Sequence, residues 1–122
     1  MKGIAPGFPP DWTPLPQRPA PAPGEAVLVL AHLDVASQRL DGLRATFAPR
    51  EEERFRSFAT DELRSRWGTA RGALREVLGA ALGCPPREVA FAYGAHGKPR
   101  LAGSPLHFNI SHSGAVALIA LA

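Results

Sequence analysis

The chain has 122 residues, 45% of them apolar, and its 14 basic and 11 acidic side chains leave a net charge of +3. There is room for one small domain, burying only about two-thirds of the surface its unfolded chain exposes. The positive excess is too mild to single out nucleic acid or a membrane surface as partner, and the single Cys84 excludes an internal disulfide and a Cys-rich zinc site.

Eight of the 13 prolines fall between Pro6 and Pro23. Each lacks an N–H and has a fixed φ, so residues 1–24 are expected to form an extended or disordered arm, excluded from helix and central strand. Phe8 and Trp12 are either solvated there or packed back onto the domain. Lys2 leads into this proline-rich stretch where a signal peptide needs an apolar core, and no apolar run approaches the roughly 20 residues that span a bilayer. A soluble, cytoplasmic protein is the expectation.

The domain proper is expected over residues 25–122. Its first strand is the aliphatic run Ala26 to Leu33. A short amphipathic helix follows from Ser37 to Phe47, with Leu40, Leu43 and Phe47 on one side. Pro49 then opens a second helix, whose Glu51, Glu52 and Glu53 complement the positive end of its dipole. Thr60 caps the main helix, Asp61 to Leu82, whose apolar residues recur at three- and four-residue steps from Leu63 through Trp67 and Leu74 to Leu78. Gly83 stops it and Pro85-Pro86 prevents a restart. Arg64, Arg71 and Arg75 fall on a flank expected to be a solvated face.

Beyond the prolines, Val89 to Tyr93 is expected to be a strand, Gly94 to Gly97 a turn, and Lys98 to Leu101 the way into the next connection. A strand then carries Asn109, Ser111 and His112 to a turn at Ser113-Gly114, and a last strand follows in Ala115 to Ala122. This order predicts an α+β fold, a small sheet covered by one long helix.

Gly94-Ala95-His96-Gly97-Lys98 is not a nucleotide P-loop, because Ala92 and Pro99 stand where that loop needs Gly and Ser or Thr. Ser111-His112 is not a hydrolase pair: neighbours on a strand point to opposite faces, no Gly-x-Ser-x-Gly elbow surrounds Ser111, and no acid is placed to orient His112. Together with Arg54, however, Lys98, Asn109, Ser111 and His112 form a set of cationic and short polar groups suited to phosphate. Lys98 stands out because the chain otherwise uses Arg, 12 against two lysines, and a compact ammonium is a common phosphate ligand.

Gly97-Lys98-Pro99, Arg100-Leu101 and Phe108-Asn109-Ile110-Ser111-His112-Ser113-Gly114 resemble, in order and spacing, the signature of the Sfp-type 4'-phosphopantetheinyl transferases. Arg54, Arg56, Phe58, Asp61 and Ala70-Arg71-Gly72-Ala73-Leu74-Arg75 are similar to the arginine-rich helix pair of that family. The resemblance runs from Val27 to Ala122. It implies one of two similar α/β halves with coenzyme A in the cleft between them. The implied reaction moves the phosphopantetheine arm of coenzyme A to a serine of an acyl or peptidyl carrier protein and releases 3',5'-ADP, with Mg2+ on the pyrophosphate. By the same likeness Arg54, Lys98, Ser111 and His112 bind coenzyme A, and Pro99 and Asn109 shape its pocket.

The family's Gly-x-Asp-x-Glu and Trp-x-x-Lys-Glu segments, which supply metal carboxylates and a lysine, have no counterpart in this sequence. The expectation is therefore an N-terminal, coenzyme A-anchoring half with no catalytic or metal-binding residue of its own. It would be completed by a C-terminal half that brings the Mg2+ site, or would associate with itself through an exposed seam. The alternatives are a coenzyme A or nucleotide-binding module without chemistry, and a truncated fragment.

Overall fold

The computed structural model describes residues 12–15 and 20–122. Its elements are β1 (Trp12–Leu15), β2 (Val27–His32), α1 (Ser37–Arg44), α2 (Pro49–Arg56), α3 (Asp61–Leu82), a 3-10 turn (Pro86–Glu88), β3 (Phe91–Tyr93), β4 (Pro99–Leu101), β5 (Phe108–Ser113) and β6 (Val116–Leu121). The fold is α+β, with two antiparallel sheets, β1-β2-β6-β5 and the hairpin β3-β4. Among the described residues no helix is long and apolar enough to cross a membrane.

Period-two alternation sorts the strands of the main sheet. Val27, Val29 and Ala31 on β2 and Ala117, Ile119 and Leu121 on β6 are buried against the helices, whereas Leu28 and Leu118 remain 40% and 41% exposed on the outer face. On β5, Phe108 and Ile110 pack against the core while Asn109 and Ser111 point outward. The β5-β6 turn comprises Gly114 and Ala115, one residue later than expected. Gly114 has φ 59°, a conformation that favours glycine at the first position of a two-residue hairpin.

The main helix has the bounds expected for it. The Thr60 hydroxyl accepts from the Leu63 N–H at 3.2 Å, and Gly83 closes the other end in the left-handed region at φ 74°. Ala70, Ala73, Leu74, Val77 and Leu78 form its buried stripe. Two glycines let the short helices come close. A Cβ on Gly72 would lie 2.5 Å from Leu43 Cβ, and one on Gly68 would lie 2.7 Å from Phe55 Cε1. α1 ends at Arg44 instead of Phe47, because the Thr46 hydroxyl and the Thr46 and Phe47 N–H groups cap the carbonyls of Leu43 and Arg44. Phe47 is thereby freed to meet Phe55 and Trp67 edge-on.

Three expectations are sharpened or corrected. Part of the proline-rich stretch expected as an extended or disordered arm is an edge strand: β1 pairs with β2, and Pro14 is tolerated there because no further strand among the described residues requires its N–H. Trp12 is fully buried, and its indole N–H donates to Glu76 Oε1 at 2.6 Å while Arg39 grips the same carboxylate with two N–H groups. Phe8 and residues 16–19 lie outside the described residues. Second, residues 98–101 are not only a connection, because Pro99–Leu101 pairs with a β3 that is shorter than expected. Third, Arg75 is 3% exposed and does not belong to a solvated helix face.

Candidate functional site: an arginine-aromatic cleft

Between α2, α3 and the 94–97 turn lies a cleft of about 430 Å3. Its walls carry Arg50 and Arg54 from α2, Trp67 and Arg71 from α3, and Tyr93 and His96 from the hairpin. Arg50 and Arg54 are one helical turn apart and so share a face of α2; Trp67 and Arg71 do the same on α3. The Arg50 guanidinium stacks 3.6 Å from the centre of the Tyr93 ring, and Arg54 lies 4.8 Å over Phe58. Neither makes an ion pair among the described residues, so both charges are available to a ligand.

Arg71 is held in place. It donates to Glu51 Oε2 at 3.0 Å and to the Tyr93 hydroxyl at 3.1 Å. Glu51 is itself 1% exposed: its Oε1 accepts from Arg75 Nε at 2.7 Å and from the Ala48 N–H at 2.8 Å. Arg75 also donates to the carbonyls of Pro86 and Val89, tying α3 to the chain entering β3. A buried carboxylate shared by two guanidiniums fixes the cleft floor and leaves three guanidiniums against one carboxylate along its lining. Such a site can hold phosphate through charge-assisted bonds and can stack a flat ring on its aromatic and guanidinium faces.

Of the residues expected from sequence, Arg54 lines this cleft beside His96 and Gly97. Lys98 and Pro99 face a second recess across the turn, and Ser111 and His112 border a shallower depression with Val116 and Leu118. Asn109 is exposed on the outer face of β5 opposite Ala120. The expected set is therefore distributed over the α2-hairpin side and the end of β5 and does not converge in one recess. The cleft adds Arg50, Trp67, Arg71, Tyr93 and His96. Their pairing at four-residue spacing on two helices was a signal open to sequence reading; the burial of Glu51, one of three consecutive glutamates, was not.

Beside the cleft, Arg44 donates to both oxygens of Glu52 at 3.3 and 2.6 Å. This hydrogen bonding holds the Glu52 carboxyl below its ordinary pKa and raises that of Arg44.

The chain is 39% identical over 114 residues to the 4'-phosphopantetheinyl transferase HetI of Nostoc sp., a match covering 90% of this chain and 48% of that protein. It is 36% identical over 86 residues to the putative 4'-phosphopantetheinyl transferase slr0495 of Synechocystis sp., covering 67% of this chain and 35% of that one. The chain thus spans about half the length of the first relative and about a third of the second. No family model matches it.

Proposed function

The chain is a relative of the 4'-phosphopantetheinyl transferases over part of their length, and from that premise we propose that it is the coenzyme A-anchoring half of such an enzyme. One observation carries the reading: the arginine-aromatic cleft joins three guanidiniums to the rings of Trp67 and Tyr93, a composition suited to a phosphorylated adenosine. In this reading Arg50, Arg54 and Arg71 take phosphate charge. Lys98, Ser111 and His112 serve the remainder of coenzyme A, and Pro99 and Asn109 shape its surroundings.

The reaction assigned to the complete enzyme joins a carrier-protein serine oxygen to the phosphorus of the pantetheine arm. The bond to 3',5'-ADP breaks and the serine proton is lost. This chain's share is to bind and orient coenzyme A. Magnesium on the pyrophosphate would neutralise charge there. The residues of the cleft do not fit that ion, because both oxygens of Glu51 are engaged by Arg71 and Arg75. The metal carboxylates are accordingly assigned to a complementary half. The outer sheet face around Leu28 and Leu118 is assigned to contact with that half, on the same chain or another.

Calorimetric titration with coenzyme A and 3',5'-ADP tests the reading. Both should bind, and Arg54→Ala, Lys98→Ala and His112→Ala should each weaken binding by about tenfold, the worth of a charge-assisted hydrogen bond. Failure of both ligands to bind, or wild-type affinity in all three variants, would sink it. The engagement of Glu51 also favours a second reading, a module that binds coenzyme A without chemistry. Transfer of a labelled pantetheine arm to an apo carrier protein, absent with this chain alone and restored by adding a C-terminal half, separates the two.

A further inference from the structure

Three elements wall the arginine-aromatic cleft, and one side chain joins charges from two of them. Tyr93 is the last residue of β3, and its backbone is fixed opposite Pro99 in the hairpin. The Arg50 guanidinium, supplied by α2, lies 3.6 Å from the centre of the Tyr93 ring, and the Tyr93 hydroxyl accepts from Arg71 Nη1 of α3 at 3.1 Å. Among the described residues no other residue lining the cleft touches a guanidinium from each helix.

Behind Tyr93 the rings continue inward. Phe91, two residues earlier and so on the same face of β3, lies 6.4 Å from it, and Phe108 meets Phe91 edge-on at 5.9 Å. Arg75 and Arg71 lie 5.1 and 5.5 Å from the centre of the Phe91 ring. Guanidiniums and rings thus accompany one another from the buried Arg75 to the exposed Arg50. Charge compensation falls off along this file: Arg75 and Arg71 share Glu51, whereas Arg50 has no ion pair among the described residues. Two cations gathered on one tyrosine repel each other, and an oxyanion that accepts from both relieves the repulsion. Stacking uses only the face of a guanidinium, so the N–H edge of Arg50 stays free for such a group.

Resting on the reading that the cleft takes phosphorylated adenosine, we infer that Tyr93 is its positioning residue. The ring and the hydroxyl hold Arg50 of α2 and Arg71 of α3 at the spacing that receives a phosphate group, and so set the preference for phosphorylated over unphosphorylated adenosine. Tyr93 supplies no charge and acts through the two arginines.

Calorimetry with 3',5'-ADP and adenosine on the full chain tests this, with the NMR signal of the Arg50 Nε–H as a readout of position without ligand. In the wild type the Tyr93 ring current should move that proton upfield of the free-arginine position. Tyr93→Leu should return it and weaken 3',5'-ADP by about tenfold, with adenosine changed by less than about twofold. Tyr93→Phe, which keeps the ring and loses the hydroxyl, should keep the shift and fall between wild type and Tyr93→Leu in 3',5'-ADP affinity. Because Arg50 acts where Tyr93 holds it, Arg50→Ala added to Tyr93→Leu should cost little beyond either change alone. Equal losses for the two ligands, as loss of folding or of a base-stacking wall would give, overturn the inference, and so do additive losses in the double variant. Even if Tyr93→Leu does not fold, an unshifted Arg50 signal in the wild type or unchanged 3',5'-ADP affinity in Tyr93→Phe overturns it. Wild-type protein that fails to bind 3',5'-ADP sinks the coenzyme reading and this inference together, whereas wild-type binding with indifferent Tyr93 variants sinks this inference alone.

Discussion

Glu51→Gln changes one atom's identity and removes one charge, and the structure makes its cost large. The carboxylate is 1% exposed, faces Arg75 at 2.7 Å and Arg71 at 3.0 Å, and takes the Ala48 N–H as well. Glutamine keeps the volume, but it presents an amide donor toward guanidinium donors and leaves Arg75, 3% exposed and unable to lose its proton, without its counter-charge. Breaking a buried pair by removing one partner costs about 3–5 kcal/mol. In a domain of this size about 3 kcal/mol corresponds to a fall in Tm of at least about 12 °C. It is also a large part of the roughly 5–15 kcal/mol by which such domains are stable. Urea unfolding followed by circular dichroism measures the change. Glu52→Gln, whose partly exposed carboxylate should be worth no more than about 1 kcal/mol, is the control. A second substitution, Arg75→Met, should recover part of the loss, because the orphaned charge leaves with it. Equal unfolding midpoints for Glu51→Gln and Glu52→Gln would refute the reasoning.

Two further outcomes follow from packing and charge. Gly72→Ala should destabilise by about 1–3 kcal/mol, since its Cβ would meet the buried Leu43 at 2.5 Å and the overpacking outweighs the gain in helix propensity. Gly42→Ala in α1 has open space and should be neutral or stabilising; thermal melts that give both variants the same sign would contradict this picture. Because Arg44 lowers the Glu52 pKa in the folded state, the stability due to that carboxylate is present above the ordinary carboxylate pKa and is lost as pH falls through the folded value. The gap between wild type and Glu52→Gln should therefore narrow as pH falls below the ordinary carboxylate pKa, and a gap that widens would reverse the assignment.

The elements legible in the sequence were those governed by local chemistry. Thr60, the recurring apolar stripe and Gly83 bound α3, and the aliphatic run from Ala26 to Leu33 marked β2, while which of its residues face the core was shown only by the structure. The likeness to phosphopantetheinyl transferases was equally readable, because it rests on side chains in order along the chain. Arg54 was drawn from that order, and it does line the cleft. Lys98, Pro99, Ser111 and His112 came from the same order, yet face other recesses, because the hairpin β3-β4 stands apart from the main sheet.

Tertiary structure alone decided which charges are buried and which are free. Nothing in the run Glu51-Glu52-Glu53 distinguishes the first glutamate; it is buried because the 100° step of α2 turns it toward α3, where Arg71 and Arg75 arrive from some 20 residues away. Arg75 left the expected solvated face for the same reason. Trp12 became core because Glu76 and Arg39 meet its indole from two helices, which a proline-rich composition cannot foretell. Local pattern determined where the chain is helix or strand. The long-range pairing of ions and rings determined which guanidiniums are compensated, and it leaves Arg50 and Arg54 of the cleft without an ion pair among the described residues.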